Sequence, residues 1–133
     1  SSTIKEIDEE SKYYKRKFRL INFLNNKKIY KIIQIKISKL KDYVEKNNIK
    51  KIDFLKIDTE GYEFEILSGL ENKIQLVDTV MFEHHYDNMI KKSYTFTDIN
   101  ELLIKNNFNK IYKSRMPFRK TFEYIYKREE SIN

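Results

Sequence analysis

The sequence predicts an α/β layer structure, part of a doubly wound sheet with helices packed against it. Three observations lead there. Ile52–Ile57, IDFLKI, reads as a buried strand, and a run of this kind suits a strand covered on both faces, as in parallel sheets. It stops in a polar turn, Asp58-Thr59-Glu60-Gly61, from which a short amphipathic helix runs to about Gly69. Asp78–Glu83, DTVMFE, then repeats the theme, apolar through its middle and polar at its carboxyl end. In open α/β sheets, ligands bind in the crevice beyond those carboxyl ends.

The elements follow in order. Residues 1–10 are polar and acidic, and residues 1–28 together read as an N-terminal arm or bridging segment. Within it, Ser11–Asn25 interleaves Tyr13, Tyr14, Phe18, Ile21 and Phe23 with Lys12, Lys15, Arg16, Lys17 and Arg19. Such a pattern can stack bases, or it can form a helix or extended arm with one apolar face and snorkelling cations. Nothing in it fixes a base-reading geometry. Ile29–Ile37 alternates and reads as a strand, with Ile33, Ile35 and Ile37 on one face. Ser38 is placed to cap a helix carrying Leu40, Tyr43 and Val44, which Asn47-Asn48 ends.

Past the central turn, Tyr62–Leu67 is a helix with Phe64, Ile66 and Leu67 inward, and Gly69 is its natural stop. Gly61 permits a positive φ or a close approach of ligand to backbone. After Asp78–Glu83, a loop spans Asp87–Tyr94. Thr97 or Asp98 is placed to cap a helix Ile99–Asn106, with Glu101 positioned for a capping box. Strands Lys110–Lys113 and Thr121–Lys127 flank a turn around the only proline, Pro117, and residues 128–133 form a polar tail.

Composition bounds the function. The chain has 133 residues, 40 % hydrophobic and 14 % aromatic, enough for one cored domain. Its formal net charge of +7 admits nucleic acid or an anionic membrane as partner. Lys, Ile and Asn dominate together, as a general drift of composition produces, and no basic motif with a known docking geometry occurs, so a nucleic-acid partner is not expected. The absence of cysteine excludes disulfides, thiolate metal sites and a cysteine nucleophile, and it is compatible with the cytoplasm, the expected location. No apolar run approaches the roughly 20 residues a membrane span needs, and no signal peptide is visible.

The string LKIDTEGYEFEILSGLE resembles the signature of FkbM-type S-adenosylmethionine-dependent methyltransferases, matching at Leu55-Lys56-Ile57-Asp58-Thr59-Glu60-Gly61, Glu63, Leu67 and Ser68-Gly69. The resemblance implies a partial Rossmann-like, class I methyltransferase sheet with flanking helices and a C-terminal antiparallel hairpin. Residues 29–127 would be the later half of that domain. It also implies methyl transfer to a hydroxyl of a saccharide or small metabolite, with S-adenosylmethionine as cofactor. Two departures stand out. Where relatives carry Leu-Asp-Asp or Leu-Asp-Glu, this chain has Leu40-Lys41-Asp42. A glycine-rich strand-to-helix turn is impossible in residues 1–60, because Gly61 is the first of only two glycines. The expectation is a truncated or naturally degenerate enzyme that is inactive alone.

Methyl transfer to a hydroxyl needs positioning of both reactants and often a base. The resemblance and the strand ends together put Asp58, Glu60, Glu83 and His84 forward as catalytic residues. Asp58, Thr59 and Gly61 are put forward for the cofactor, and His85 and Tyr86 for substrate. The plainer readings are a tight turn with helix-start charge for Asp58 and Glu60, and alternating packed and solvated strand-end side chains for the two histidines. Asp58, Glu60, Glu83 and His84 have donor types that suit a hard cation, but no ligand-spacing motif supports a metal and none is expected. The rival class is a non-catalytic domain whose aromatic-basic arm holds an anionic partner. A bare sheet edge, if neighbouring strands are missing, also opens a route to self-association.

Overall fold

The computed structural model describes residues 6–21, 32–117 and 119–129. Four strands form a mixed sheet in the order β1-β2-β4-β3: β1 Ile52–Ile57, β2 Val77–His85, β3 Phe108–Arg115 and β4 Thr121–Arg128. β1 and β2 are parallel, with Ile57 opposite Phe82. β4 runs antiparallel to β2, and β3 and β4 form the C-terminal antiparallel hairpin. The helices are α1 Lys12–Ile21, α2 Leu40–Lys46, α3 Glu63–Ser68 and α4 Phe96–Lys105, with a 3-10 helix at Glu71–Leu76.

The core follows from strand alternation. Val80 and Phe82 of β2 share one sheet face with Tyr124 and Tyr126 of β4, and this face buries Leu67 of α3 and Ile99 and Leu103 of α4. Phe82 stacks on both tyrosines, with ring centroids 5.5 and 5.9 Å apart. Arg128 locks the far end of β2 by donating to the main-chain oxygens of Val77 and Ile74. On the hairpin's outer strand, a bulge between Lys110 and Tyr112 and the cations Lys110, Lys113 and Arg115 blunt the edge. The outer edge of β1 pairs with no strand among the described residues.

A second, smaller cluster seats α1. Tyr14 is buried with Met89 and Ile90, and Ile7, Tyr13 and Phe18 pack at its margin. Ser11 caps the helix by accepting the Tyr14 N–H at 3.2 Å, and an isolated antiparallel bridge joins Ile7 to Ile90. Of the two forms expected for the aromatic-basic arm, the helix is realised over Lys12–Ile21; residues 22–25 lie outside the described residues.

Several expectations are corrected. Ile52–Ile57 is a strand but not one covered on both faces: it lies at the end of the sheet, only Ile57 is buried, and Phe54 is exposed. The strand expected at Ile29–Ile37 is not one where it is described: residues 32–37 are without regular structure, and Ile33, Ile35 and Ile37 are exposed. Alternation supplies only one apolar face; a strand also needs a partner for its backbone groups, and residues 29–31 lie outside the described residues. Lys39, not Ser38, precedes α2, with no side-chain cap. α4 starts earlier than expected, capped by Thr95 in a capping box with Asp98 rather than Glu101. Its added first residue, Phe96, stacks on Tyr124 at 4.4 Å, a tertiary contact that extends the helix. β2 likewise runs on to His85, because His84 and His85 continue the ladder opposite Phe122 and Thr121.

Candidate active site

The register brings the two strand ends together. Ile57 lies opposite Phe82, so Asp58, the first residue past β1, comes beside Glu83, which β2 still holds in its ladder opposite Glu123. Asp58 is exposed and pairs loosely with Lys56 at 3.5 Å. Glu83 is half-buried, and its carboxyl is held above the usual range by burial, then by Asp58 and Glu123, against the pull of His85 and Lys56.

The turn between β1 and α3 is strained and closely held. Glu60 has φ 52° and Gly61 has φ 101°, both left-handed. Glu63 reaches back from the first turn of α3 to hold them. Its Oε1 accepts the Gly61 N–H at 2.8 Å and the Thr59 hydroxyl at 3.3 Å, and Tyr94 donates to its Oε2. Glu63 is 1 % exposed, and Tyr94, buried against it, has its hydroxyl pKa pushed far up by burial and by that bond. Neither residue was singled out for the site. The signal was present in the motif itself, a carboxylate two residues past a glycine at a helix start, where free N–H groups gather. Gly61 does make a close approach, but to protein: a Cβ there would sit 2.6 Å from the Ile90 side chain.

His85 joins three segments at this edge. Its Nε2 lies 3.3 Å from a Glu60 carboxylate oxygen. Its Nδ1 lies 3.0 Å from the Thr121 hydroxyl of β4 and 3.9 Å from Asp87 in the loop after β2. Burial works against a charge on this ring, and so does Lys92, which donates to the His85 main-chain oxygen. Asp87 and Glu60 outweigh both, so the pKa is raised. Asp87 is correspondingly lowered: burial pushes it up, but His85 and the Met89 N–H at 3.1 Å prevail.

His84 points to the opposite sheet face. It is 3 % exposed and ringed by Tyr86 at 4.8 Å, Phe96 at 5.9 Å and Tyr94 at 6.1 Å between centroids. Its Nδ1 has no hydrogen-bond partner among the described residues, and burial first, then Lys92 and His85, lower its pKa to about 4. Both histidines are therefore packed, rather than one packed and one solvated. Tyr86 is half-exposed at the rim and shares a 2.8 Å hydroxyl contact with Tyr124.

Asp58, Thr59, Glu60, Gly61, Glu83 and His85 thus gather at one edge, while His84 and Tyr86 belong to an aromatic cluster on the helix-covered side. No group of three or more His, Asp or Glu side chains among the described residues is arranged to hold a metal ion. Lys41, where the resemblance implies an acid, makes a 2.6 Å ion pair with Glu71 and ties α2 to the 3-10 helix. No helix among the described residues is long and apolar enough to cross a membrane. A family model for the methyltransferase FkbM domain matches residues 3–112. No curated protein and no solved structure gives a significant match.

Proposed function

Since the chain belongs to the FkbM methyltransferase domain family, we propose that it serves methyl transfer to an oxygen of a saccharide or small metabolite and forms the acceptor side of that site. The observation that carries the reading is the nearness of Asp58, just past the end of β1, to Glu83 on the neighbouring β2, with the Glu83 pKa raised. A carboxyl whose pKa is raised is a stronger base, and Glu83 is the group assigned to take the proton from the acceptor hydroxyl. Asp58 keeps Glu83 basic. His85 and Glu63 hold Glu60 and the turn in place, and Tyr86, packed in the aromatic cluster on the helix-covered side, is given no part. His84 is given no part, because it is enclosed on the other face.

Family membership implies S-adenosylmethionine as the methyl source. The residues in hand do not make its cradle. Residues 1–60 contain no glycine, and the one glycine at the edge, Gly61, is covered by Ile90. Asp58 and Thr59 remain as groups at one wall of a cofactor site, and these 133 residues alone are expected to bind the cofactor weakly or not at all. The outer edge of β1, unpaired among the described residues, supports self-association of this form, which sedimentation over a range of concentrations reads directly.

Calorimetric titration with S-adenosylhomocysteine tests the reading, comparing this chain with a form carrying any residues that precede it in the gene. Binding by the longer form alone supports the proposal. Binding by neither removes methyl transfer as this protein's role. Tight binding by the 133-residue chain means that a cradle exists among residues given no such role.

A further inference from the structure

Helix α1 sorts its side chains by charge. Lys12, Lys15, Arg16 and Arg19 recur at i, i+3, i+4 and i+7 and so share one face, and the helix contains no acidic residue. The opposite face is anchored: Tyr14 is buried with Met89 and Ile90, and Phe18 stacks on Tyr14 at 6.0 Å. That anchorage fixes the rotation of the helix, so the cationic face is held outward. An open groove of about 420 Å³ runs along it, lined by the four cations and Leu20. Glu10 pairs with Lys15 at one end of the row.

The residues beside the cations discriminate among anionic partners. Leu20 is 75 % exposed and, four residues on from Arg16, borders the cationic face. A phosphodiester backbone has no use for protruding aliphatic groups. A bilayer does, since aliphatic tips enter the headgroup–acyl boundary while Lys and Arg stems snorkel and leave their charges among the phosphates. We infer that the Lys12–Arg19 face with Leu20 is a docking surface for an anionic lipid bilayer. It seats the domain on the membrane surface without crossing it. This inference is independent of the catalytic assignment, because no residue of α1 belongs to the proposed site.

Each cation held near an anionic surface multiplies partitioning about fivefold. Co-sedimentation with vesicles of mixed phosphatidylglycerol and phosphatidylcholine, beside pure phosphatidylcholine, reads the effect. Binding is expected to the anionic vesicles and to fall steeply as salt rises. Arg16→Glu with Arg19→Glu is expected to lose at least about 25-fold. Lys46→Glu with Lys50→Glu makes the same change in net charge on α2 and the loop after it, and is expected to leave binding intact. Leu20→Asp is expected to weaken binding severalfold with little change in its salt dependence. Arg16, Arg19, Leu20, Lys46 and Lys50 lie outside the core, and none of these four cations is in an ion pair among the described residues, so folding is preserved, which circular dichroism verifies. Equal binding to neutral vesicles overturns the inference, as does retention by the double Arg variant. So does binding to a short oligonucleotide at a salt concentration that abolishes vesicle binding.

Discussion

The Glu63 carboxylate accepts the Gly61 backbone N–H at 2.8 Å, across the one point among the described residues where two successive residues are left-handed. The same carboxylate serves the Thr59 hydroxyl and the Tyr94 hydroxyl, so a single buried group closes the turn, starts α3 and ties both to the segment before α4. Glu63→Ala leaves three donors without their acceptor and is expected to cost about 2–4 kcal/mol. Tyr94→Phe removes one donor and leaves the turn bonds, and is expected to cost about 1 kcal/mol. Urea unfolding checks both: the midpoint should move and the slope stay constant. A Glu63→Ala cost no greater than that of Tyr94→Phe would show that water replaces the carboxylate and that the turn holds itself.

Gly61 offers a second test because two different effects forbid a side chain there. Its φ of 101° strains any L residue, and a Cβ would meet the Ile90 Cγ2 at 2.6 Å. Gly61→Ala is expected to destabilise by at least about 2 kcal/mol. Adding Ile90→Ala removes the clash but not the strain. The double variant should therefore be less unstable than the sum of the two singles, a positive coupling read from a double-mutant cycle. Additive costs would mean that backbone strain alone sets the preference for glycine.

Much of this edge was legible beforehand, and the reason is local. Ile52–Ile57, the Asp58–Gly61 turn and the alternation of Phe122, Tyr124 and Tyr126 declare themselves through period and turn chemistry. What stayed hidden depended on partners distant in sequence. That β2 continues through His84 and His85 follows from the ladder to Phe122 and Thr121, some 36 residues away. The start of α4 at Phe96 depends on Tyr124 in the same way. Conversely, Ile33, Ile35 and Ile37 have the period of a strand and no strand partner among the described residues. Periodicity reports which face a segment would bury, not whether anything is there to bury it.

The two adjacent histidines set opposite pH limits on stability. His85 binds its proton more tightly folded than unfolded, so its contribution is complete below about 6.5 and is lost as pH rises through its raised folded pKa. His84 is the reverse: its pKa of about 4 means that the unfolded chain binds the extra proton between there and 6.5, and stability falls on acidification across that window. That loss amounts to about 3 kcal/mol by pH 4. His84→Phe keeps a ring among Tyr86, Tyr94 and Phe96 and removes the unpartnered Nδ1. It is expected to flatten the acid limb and to be neutral or stabilising at neutral pH. His85→Gln is expected to cost about 2 kcal/mol in weak acid and to converge with the parent as pH rises. Unfolding midpoints across the range separate the two, and a His85→Gln cost independent of pH would show that the ring acts by shape rather than charge.

Asp58 and Glu83 can be tested as a pair without any substrate. A carboxylate close by disfavours the ionisation of Glu83, and Asp58 follows burial as a cause of its raised pKa. Asp58→Asn removes the charge and keeps the shape, so the Glu83 pKa is expected to fall toward its ordinary value. His85→Gln is expected to move it the other way, because the imidazolium pulls it down. Carboxyl carbon shifts of Glu83 followed by NMR through the acid range give both directions in one experiment. Since the Asp58 side chain is exposed and its pairing with Lys56 is loose, the substitution should leave stability within about 0.5 kcal/mol, which keeps the titration interpretable. A Glu83 pKa that responds to neither change would mean that burial alone tunes it, and Asp58 would then lose its assigned part in keeping the base basic.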